Sequence, residues 1–534
     1  MALSATATHL ESFRGKWTDD DVRHLLRRAM FGAKPDDVAY MQALSPRKAF
    51  RELLADEPAP TPPINNYNDD KYTDDEILPG DTWTTSINYD GLNNGRRKNS
   101  FKAWWLGLML NQNRTLREKM VIFWHNHFTT ETNMVDNALM CYRHNALLRQ
   151  HALGNVKDMV KAVTKDPAML KYLNGTASNK KAPDENYGRE LQELFTVGKG
   201  PGSHYTEDDV KAAAKVLTGF RNDTTTYVSL FDPGRHDSSD KTFSAFYQHT
   251  TIKGRRGPEG EQELDDLLTM LFAQEEVSRF ICRKLYRFFV YHQIDEATEA
   301  RLITPLATVF RESNYEIKPV LRELLGSRHF FEATNRGAII KSPLDYTVGL
   351  CREFGVAFPD AGSFADQYGL WQTVQNQTAG MQQNIGDPPN VAGWPAYYQE
   401  PMFDKLWINS DTLPKRNVFS DNMASGKFSR NGKKLAIDVI AFTQTLANPA
   451  DPAALIDEAA RRLYAISLSD KDKLYIKTSI LLSGLQGMVS DHYWTQAWEN
   501  LTAKPDDMAN KSNVTRKLQN LYKYLMNLPQ YQLT

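Results

Sequence analysis

Apolar positions in this chain recur every three or four residues far more often than every second one, which is the period of an amphipathic helix. Asp19, Asp20 and Asp21 offer an N-cap and first-turn acids ahead of Val22, Leu25, Leu26 and Met30, with Gly32 as a stop. A second helix is expected from Pro46 through Phe50, Leu53 and Leu54. Pro58 to Arg97 is rich in Pro, Asn, Asp, Thr and Gly and reads as a long surface loop, of a kind that often carries binding function. Helices resume at Phe101 to Leu106, Leu116 to Phe128, Asn137 to His151 and Val156 to Leu173. After a polar break at residues 174–183, a strong helix is expected from Glu185 to Val197, closed by Gly198. Thr206-Glu207-Asp208-Asp209 is a capping box for a helix over Val210 to Leu217, with Gly219 as its C-cap.

Between Asn222 and Gly260 the pattern changes. Thr225 to Phe231 and Phe243 to Ile252 carry β-branched and aromatic residues bounded by Pro, Gly and Asp, and predict one or two small β-hairpins. Helices are expected again over Glu263 to Val290, Glu296 to Ser313 and Ile317 to Leu325. Phe358 to Asp411 reads as irregular, and helices around Leu435–Leu446, Ala454–Leu463, Asp470–Leu485 and Asn513–Leu525 complete the chain. No internal repeat is present.

The expected fold is therefore mainly α: a large multi-helix single unit with a small β-hairpin insertion and long irregular loops. Its segments are N-terminal helices (1–60), a polar loop (61–97), core helices (98–221) and the hairpin insertion (222–262). Further helices (263–357), an irregular aromatic, Pro- and Gly-rich stretch (358–434) and C-terminal helices (435–534) follow, all in one unit from about residue 20 onward.

Composition narrows the function classes. A chain of 534 residues buries roughly three-quarters of its extended surface, so stability needs neither disulfide nor metal. Lys and Arg number 64 against 65 Asp and Glu, which leaves no electrostatic footprint for nucleic acid. Cys141, Cys282 and Cys351 show no CxxC spacing and read as reduced thiols. No window approaches the ~18 apolar residues of a membrane span, and Met1 to Trp17 lacks the apolar core of a signal peptide. The expected compartment is the cytoplasm. Signatures of phosphate-binding loops, dinucleotide folds, serine hydrolases and zincins (GxxxxGK[ST], GxGxxG, GxSxG and HExxH) are all absent.

Four constellations could carry chemistry. In Trp124-His125-Asn126-His127-Phe128, two histidines lie two residues apart. Leu116, Met120, Phe123 and His127 share a helical face, while His125 sits about 200° round, so both rings reach one site only if the helix ends there. The alternative is core histidines with satisfied nitrogens. In Glu185-Asn186-Tyr187-Gly188-Arg189-Glu190-Leu191-Gln192-Glu193-Leu194-Phe195, two carboxylates three apart could bind a cation or act as acid and base, or form a solvated face screened by Arg189. Arg235-His236-Asp237 lies in the hairpin insertion and could ligate metal, orient substrate or be idle. Asp387-Pro388-Pro389-Asn390-Val391-Ala392-Gly393-Trp394-Pro395 is a rigid turn presenting Asn390 and Trp394, to cap a pocket or plug a core.

Together these pieces resemble the bacterial family catalogued as domain of unknown function 1800. The match continues through His24-Leu25-Leu26-Arg27-Arg28 with Phe31-Gly32, Tyr205-Thr206-Glu207-Asp208-Asp209-Val210, Leu217-Thr218-Gly219-Phe220, His236-Asp237 with Lys241-Thr242-Phe243, and Arg283-Lys284-Leu285. The resemblance implies a large, mostly helical protein and no assigned reaction. It also implies export in many members, and a partner of the uncharacterised family number 1501. A family pattern holding His125, His127, Arg189, Glu190, Glu193, His236 and Asp237 favours one shared polar site.

The leading expectation is an enzyme with a divalent metal (zinc, iron or manganese) on His125, His127 and Glu190. Glu193 or His236 would act as general acid/base, Arg189 would hold a polar or anionic group, and Asn186, Asp237, Asn390 and Trp394 would contact substrate. Metal-assisted hydrolysis is favoured over redox chemistry, and a metal-free variant pairs His127 with Glu190. The alternative is a non-catalytic binding or assembly protein acting with a protein partner or glycan. Exposed aromatics in the Pro58–Arg97 loop and the Trp371–Trp407 region would then form the contact.

Overall fold

Helices read from the sequence bury their apolar stripes against one another, and a contiguous cluster of buried apolar side chains runs from Val22 to Tyr531. The computed structural model describes residues 10–394, 407–484 and 490–534. Pro395 of the predicted turn and the end of the Asp470–Leu485 helix lie outside the described residues. The structure is mainly α, with three two-stranded antiparallel sheets.

Local signals set several helix ends as expected. Thr18 and Asp21 close a capping box on the Asp19–Ala29 helix, and Thr206 and Asp209 do the same for Glu207–Val216. Asn137 caps Ala138–His151 through its side chain. The hairpins of the insertion pair Phe220–Asn222 with Ser229–Phe231, and Lys241–Thr242 with Thr251–Ile252.

Other boundaries moved. The Gly91–Leu110 helix takes over the end of the supposed 58–97 loop, and Val156–Leu173 divides into Val156–Thr164 and Pro167–Tyr172, where Asp166 caps the second piece. The largest correction lies in the stretch read as irregular, which contains the Phe364–Gly380 helix and the Thr412–Ser425 helix. Polar Gln and Asn and two glycines within Phe364–Gly380 hide its period, but Tyr368, Trp371 and Val374 are buried at helical spacing. This helix packs on Gly91–Leu110, where Trp371 lies so close that a Cβ on Gly107 would stand 2.5 Å from its ring. A third hairpin, Phe428–Arg430 with Lys433–Leu435, and the Ser490–Ala503 helix also escaped the sequence reading.

The motif helix carries the most informative surprise. It is α-helical over Glu185–Glu190 and then widens to a π-helix over Leu191–Thr196. Such single-turn widenings are rare and occur frequently at functional sites. Gly188 lets this helix sit against the Glu207–Val216 helix, since a Cβ there would meet Ala214 N at 3.1 Å and Val210 O at 3.2 Å.

Candidate functional site

Helical geometry sends the two motif histidines to different places. The Arg117–His127 helix continues through both residues, so it does not unwind to bring them together. His125 is buried against Trp105 (ring centroids 5.1 Å), Trp394 (5.7 Å) and His144 (6.3 Å). Burial, followed by the nearby His144, pushes its imidazole down to about 3, and its Nε2 has no hydrogen-bond partner among the described residues. His127 faces the π-helix. Its Nε2 lies 3.1 Å from the Phe195 carbonyl and its Nδ1 lies 2.5 Å from Lys284 Nζ. A carbonyl only accepts, so Nε2 carries the hydrogen and Nδ1 receives one from lysine. Burial first, then the Lys284 charge, holds this imidazole well below its ordinary range.

Glu190 ends the α-helical part of the motif helix, and Glu193 follows one turn later within the π segment. Glu190 is half-buried and its Oε2 has no partner among the described residues. Burial and then the Glu193 charge push its carboxyl up to about 6. Glu193 is ion-paired to Lys199. Two tyrosines feel these charges. Burial and Glu193 push Tyr205 up to about 12, and Tyr172 donates to Glu131 at 2.9 Å while burial, Glu131 and then Glu190 raise it further. Both phenols therefore stay protonated and can donate.

The expected metal set is not assembled. His127 has both nitrogens engaged, His125 lies among other rings, and Glu190 sits by Glu193. Among the described residues no three His, Cys, Asp or Glu side chains stand together as metal ligands. Arg189 does not face the carboxylates as a free clamp; its guanidinium forks onto Glu207 at 2.7 Å and 2.7 Å at the surface. Asn186 is exposed, with a single long bond from its amide to the Leu173 carbonyl (3.4 Å).

His236 and Asp237 lie elsewhere. His236 is buried, with Nδ1 2.9 Å from the Thr218 carbonyl, and its Nε2 stands 3.1 Å from Glu263 Oε1 without the alignment of a good hydrogen bond. Glu263 is fully buried and pairs with Lys241 at 2.5 Å. Asp237 Oδ1 accepts from the backbone and hydroxyl of Ser239 and so holds its own turn. The insertion still reaches the motif helix by another route, because the Tyr247 hydroxyl donates to Gln192 Oε1 at 2.7 Å inside the π segment.

The rigid turn plugs rather than caps. Trp394 is buried and its backbone N donates to Asn126 Oδ1 at 2.6 Å, while Asn390 is exposed and its Oδ1 receives the Ala392 N–H. Trp83, Trp371 and Trp407 are buried too, so the tryptophans of the two stretches once expected to offer a contact surface are core residues.

Residues that the sequence reading passed over complete the picture. His144 places Nδ1 3.0 Å from Asp166 and Nε2 3.2 Å from the Phe128 carbonyl, and Lys102 ion-pairs with Asp387 beside the turn. Lys284 and Tyr205 stood within matched motifs, which was the available signal; Glu131, Tyr172 and His144 carried none.

These features define a mainly α-helical protein with small hairpins, in which motif residues far apart in sequence are joined by buried polar contacts. The chain belongs to the family described as protein of unknown function (DUF1800), which it matches over residues 24–533. No curated protein and no solved structure matches it. Among the described residues no helix is long and apolar enough to cross a membrane.

Proposed function

We propose that this protein is a hydrolase that works by carboxylate acid–base chemistry, with Glu190 as the proton-transferring group and Glu193 as its ionised partner. The observation that carries this reading is the half-buried Glu190 Oε2, without a partner among the described residues and one turn from Glu193 where the α-helix becomes a π-helix. A carboxyl raised to about 6 exchanges its proton near neutral pH, as a general acid or base must. Desolvation combined with a specific like charge is a pattern concentrated at functional sites. The Tyr205 hydroxyl is a nearby donor for a polar substrate. This form of the reading uses no metal; a metal-assisted form needs ligands other than His127.

The test is a panel of chromogenic esters, phosphoesters and glycosides, assayed with the intact chain and with Glu190→Gln across pH. The expected result is an activity with a limb near pH 6 that falls by about 10²-fold or more in the variant. Undiminished activity in Glu190→Gln would overturn the assignment. Inactivity of the intact chain on every class would favour the binding or assembly role, with a protein partner or a glycan. The buried links from Gln192 to Tyr247 and from Asn126 to Trp394 would then serve rigidity alone.

A further inference from the structure

The Pro46–Leu53 helix carries its charges against its own stability. Arg47 and Lys48 stand in its first turn, where the helix dipole is positive, and no acidic side chain is there to offset them. Arg47 and Arg51 are four apart and so share a face, where like charges repel. Folding alone does not account for such an arrangement; a bound anion would.

These three side chains line a groove of about 730 Å³, together with Arg322 and Glu323 of the Ile317–Leu325 helix. Its frame is fixed. The Phe13 N donates to the Gly326 carbonyl at 2.8 Å, and the Arg328 N donates to the Glu11 carbonyl at 2.6 Å. Arg47, Lys48, Arg51 and Arg322 are all exposed, and among the described residues none has an ion pair or a side-chain hydrogen bond. Glu323 is the acid on the lining, so four open cations face one carboxylate, in a chain whose net charge is -1. Neighbouring acids are engaged elsewhere: Asp56 pairs with Lys318 at 2.6 Å, and Glu52 accepts from the Tyr40 hydroxyl at 3.2 Å. The adjoining hollow past Phe13 is balanced, with Arg14 and Arg328 beside Glu11 and Glu332. Residues 1–9 hold no acidic side chain to supply the missing charge.

The occupant must bring several anionic groups at once and reach into a concavity. Headgroups of a flat bilayer meet only the rim. A single-stranded nucleic acid needs open ring faces to stack on, and here Phe13 lies 4.4 Å from the Phe331 ring while Phe50 is buried. A peptide meets both demands, since its carboxylates pair with guanidinium forks and its aliphatic carbon covers Phe13 and Pro46 on the lining. We propose that this groove is the docking site for an acidic segment of a partner protein, held through Arg47, Lys48, Arg51 and Arg322. The site is separate from Glu190 and does not depend on its chemistry.

Fluorescence polarisation on the full chain tests this, with a fluorescein-labelled heptapeptide of six acidic residues around a central leucine. Saturable binding is expected, weakening as salt is raised. Arg47→Glu/Lys48→Glu and Arg322→Glu are each expected to weaken it by about tenfold, through exposed charge pairs reversed in sign. The double variant also removes the misplaced charge at the helix start, so its Tm should equal or exceed the parent's. Lys433→Glu/Lys434→Glu, on the third hairpin, changes the net charge as much as the double variant does and should leave binding unaltered. No saturation at millimolar peptide, unchanged affinity in both groove variants, or an equal loss in the hairpin variant would overturn the site. A lowered Tm in Arg47→Glu/Lys48→Glu would overturn it too, by showing that these cations serve the fold. Tighter binding of a single-stranded oligonucleotide of equal charge, or of vesicles of equimolar phosphatidylcholine and phosphatidylserine, would overturn the peptide assignment.

Discussion

Asn126 accepts a hydrogen bond from the backbone N of Trp394 at 2.6 Å, joining two motifs 268 residues apart. Gly393, immediately before Trp394, has φ +89, and a Cβ there would stand 2.3 Å from Asn126 Oδ1 and 2.4 Å from its carbonyl oxygen. The turn and the histidine helix are therefore fitted backbone to backbone, and the tryptophan fills the space beside His125.

Gly393→Ala should thus be strongly destabilising, by about 3 kcal/mol, because it combines a left-handed backbone with a collision against main chain. Asn126→Ala removes the acceptor only and should cost about 1–3 kcal/mol. Denaturant unfolding followed by circular dichroism measures both, and equal stability of Gly393→Ala and the parent would show that the turn does not dock as described.

His127 and Lys284 should behave as one unit. His127→Leu and Lys284→Met each strand a buried polar group and should cost about 1–3 kcal/mol, while the double variant should lose less than the sum. Elemental mass spectrometry on His127→Leu is expected to show the same metal content as the parent. Metal lost specifically in this variant would return His127 to the ligand role that its neighbours argue against.

Glu190 makes stability depend on pH in a defined direction. Its folded value, about 6, lies above the ordinary 4.5, so between those values the folded state binds more protons than the unfolded one. Its contribution therefore turns unfavourable as pH rises from 4.5 to 6. Discounted for its partial exposure, Glu190→Gln should be more stable than the parent by about 1 kcal/mol at pH 7 and no more stable at pH 4. Unfolding curves at the two pH values decide it.

Glu263 works in the opposite sense. Burial alone would raise its carboxyl, but the adjacent His236 ring and the bonds from Lys241 and the Arg255 backbone outweigh that and hold it below 4.5. Its contribution is present above pH 4.5 and is lost as pH falls through the folded value. Glu263→Gln leaves the fully buried Lys241 without its counter-charge and should cost about 3–5 kcal/mol at pH 7, measured by thermal unfolding. A near-neutral effect would mean that the insertion is anchored by its apolar contacts instead.

Much of the helix map was legible because its signals are local. Thr206 with Asp209 specifies a helix start through contacts three residues apart, and the apolar period from Glu185 to Phe195 survives even where the helix widens. The Phe364–Gly380 helix was hidden because its packing depends on Gly107 admitting Trp371, which no neighbouring residue announces. For the site, the sequence singled out the Glu190–Glu193 pair but grouped it with His125, which packs among Trp105, Trp394 and His144, and with His127, whose two nitrogens are taken by the Phe195 carbonyl and Lys284. Two positions along a helix separate side chains by about 200°, and only a break in the Arg117–His127 helix could have reunited them.

The sequence by itself determined the mainly α fold class, the family and the residues worth watching, because period, caps and motif order are written in neighbouring positions. Only the tertiary structure decided what those residues touch. Lys284 reaches His127 across 157 positions, Phe330 fixes His24 across 306, and Arg336 meets Asp21 across 315. Such partners are chosen by how helices pack, a balance of burial and polar satisfaction over the whole core, and no local pattern encodes it.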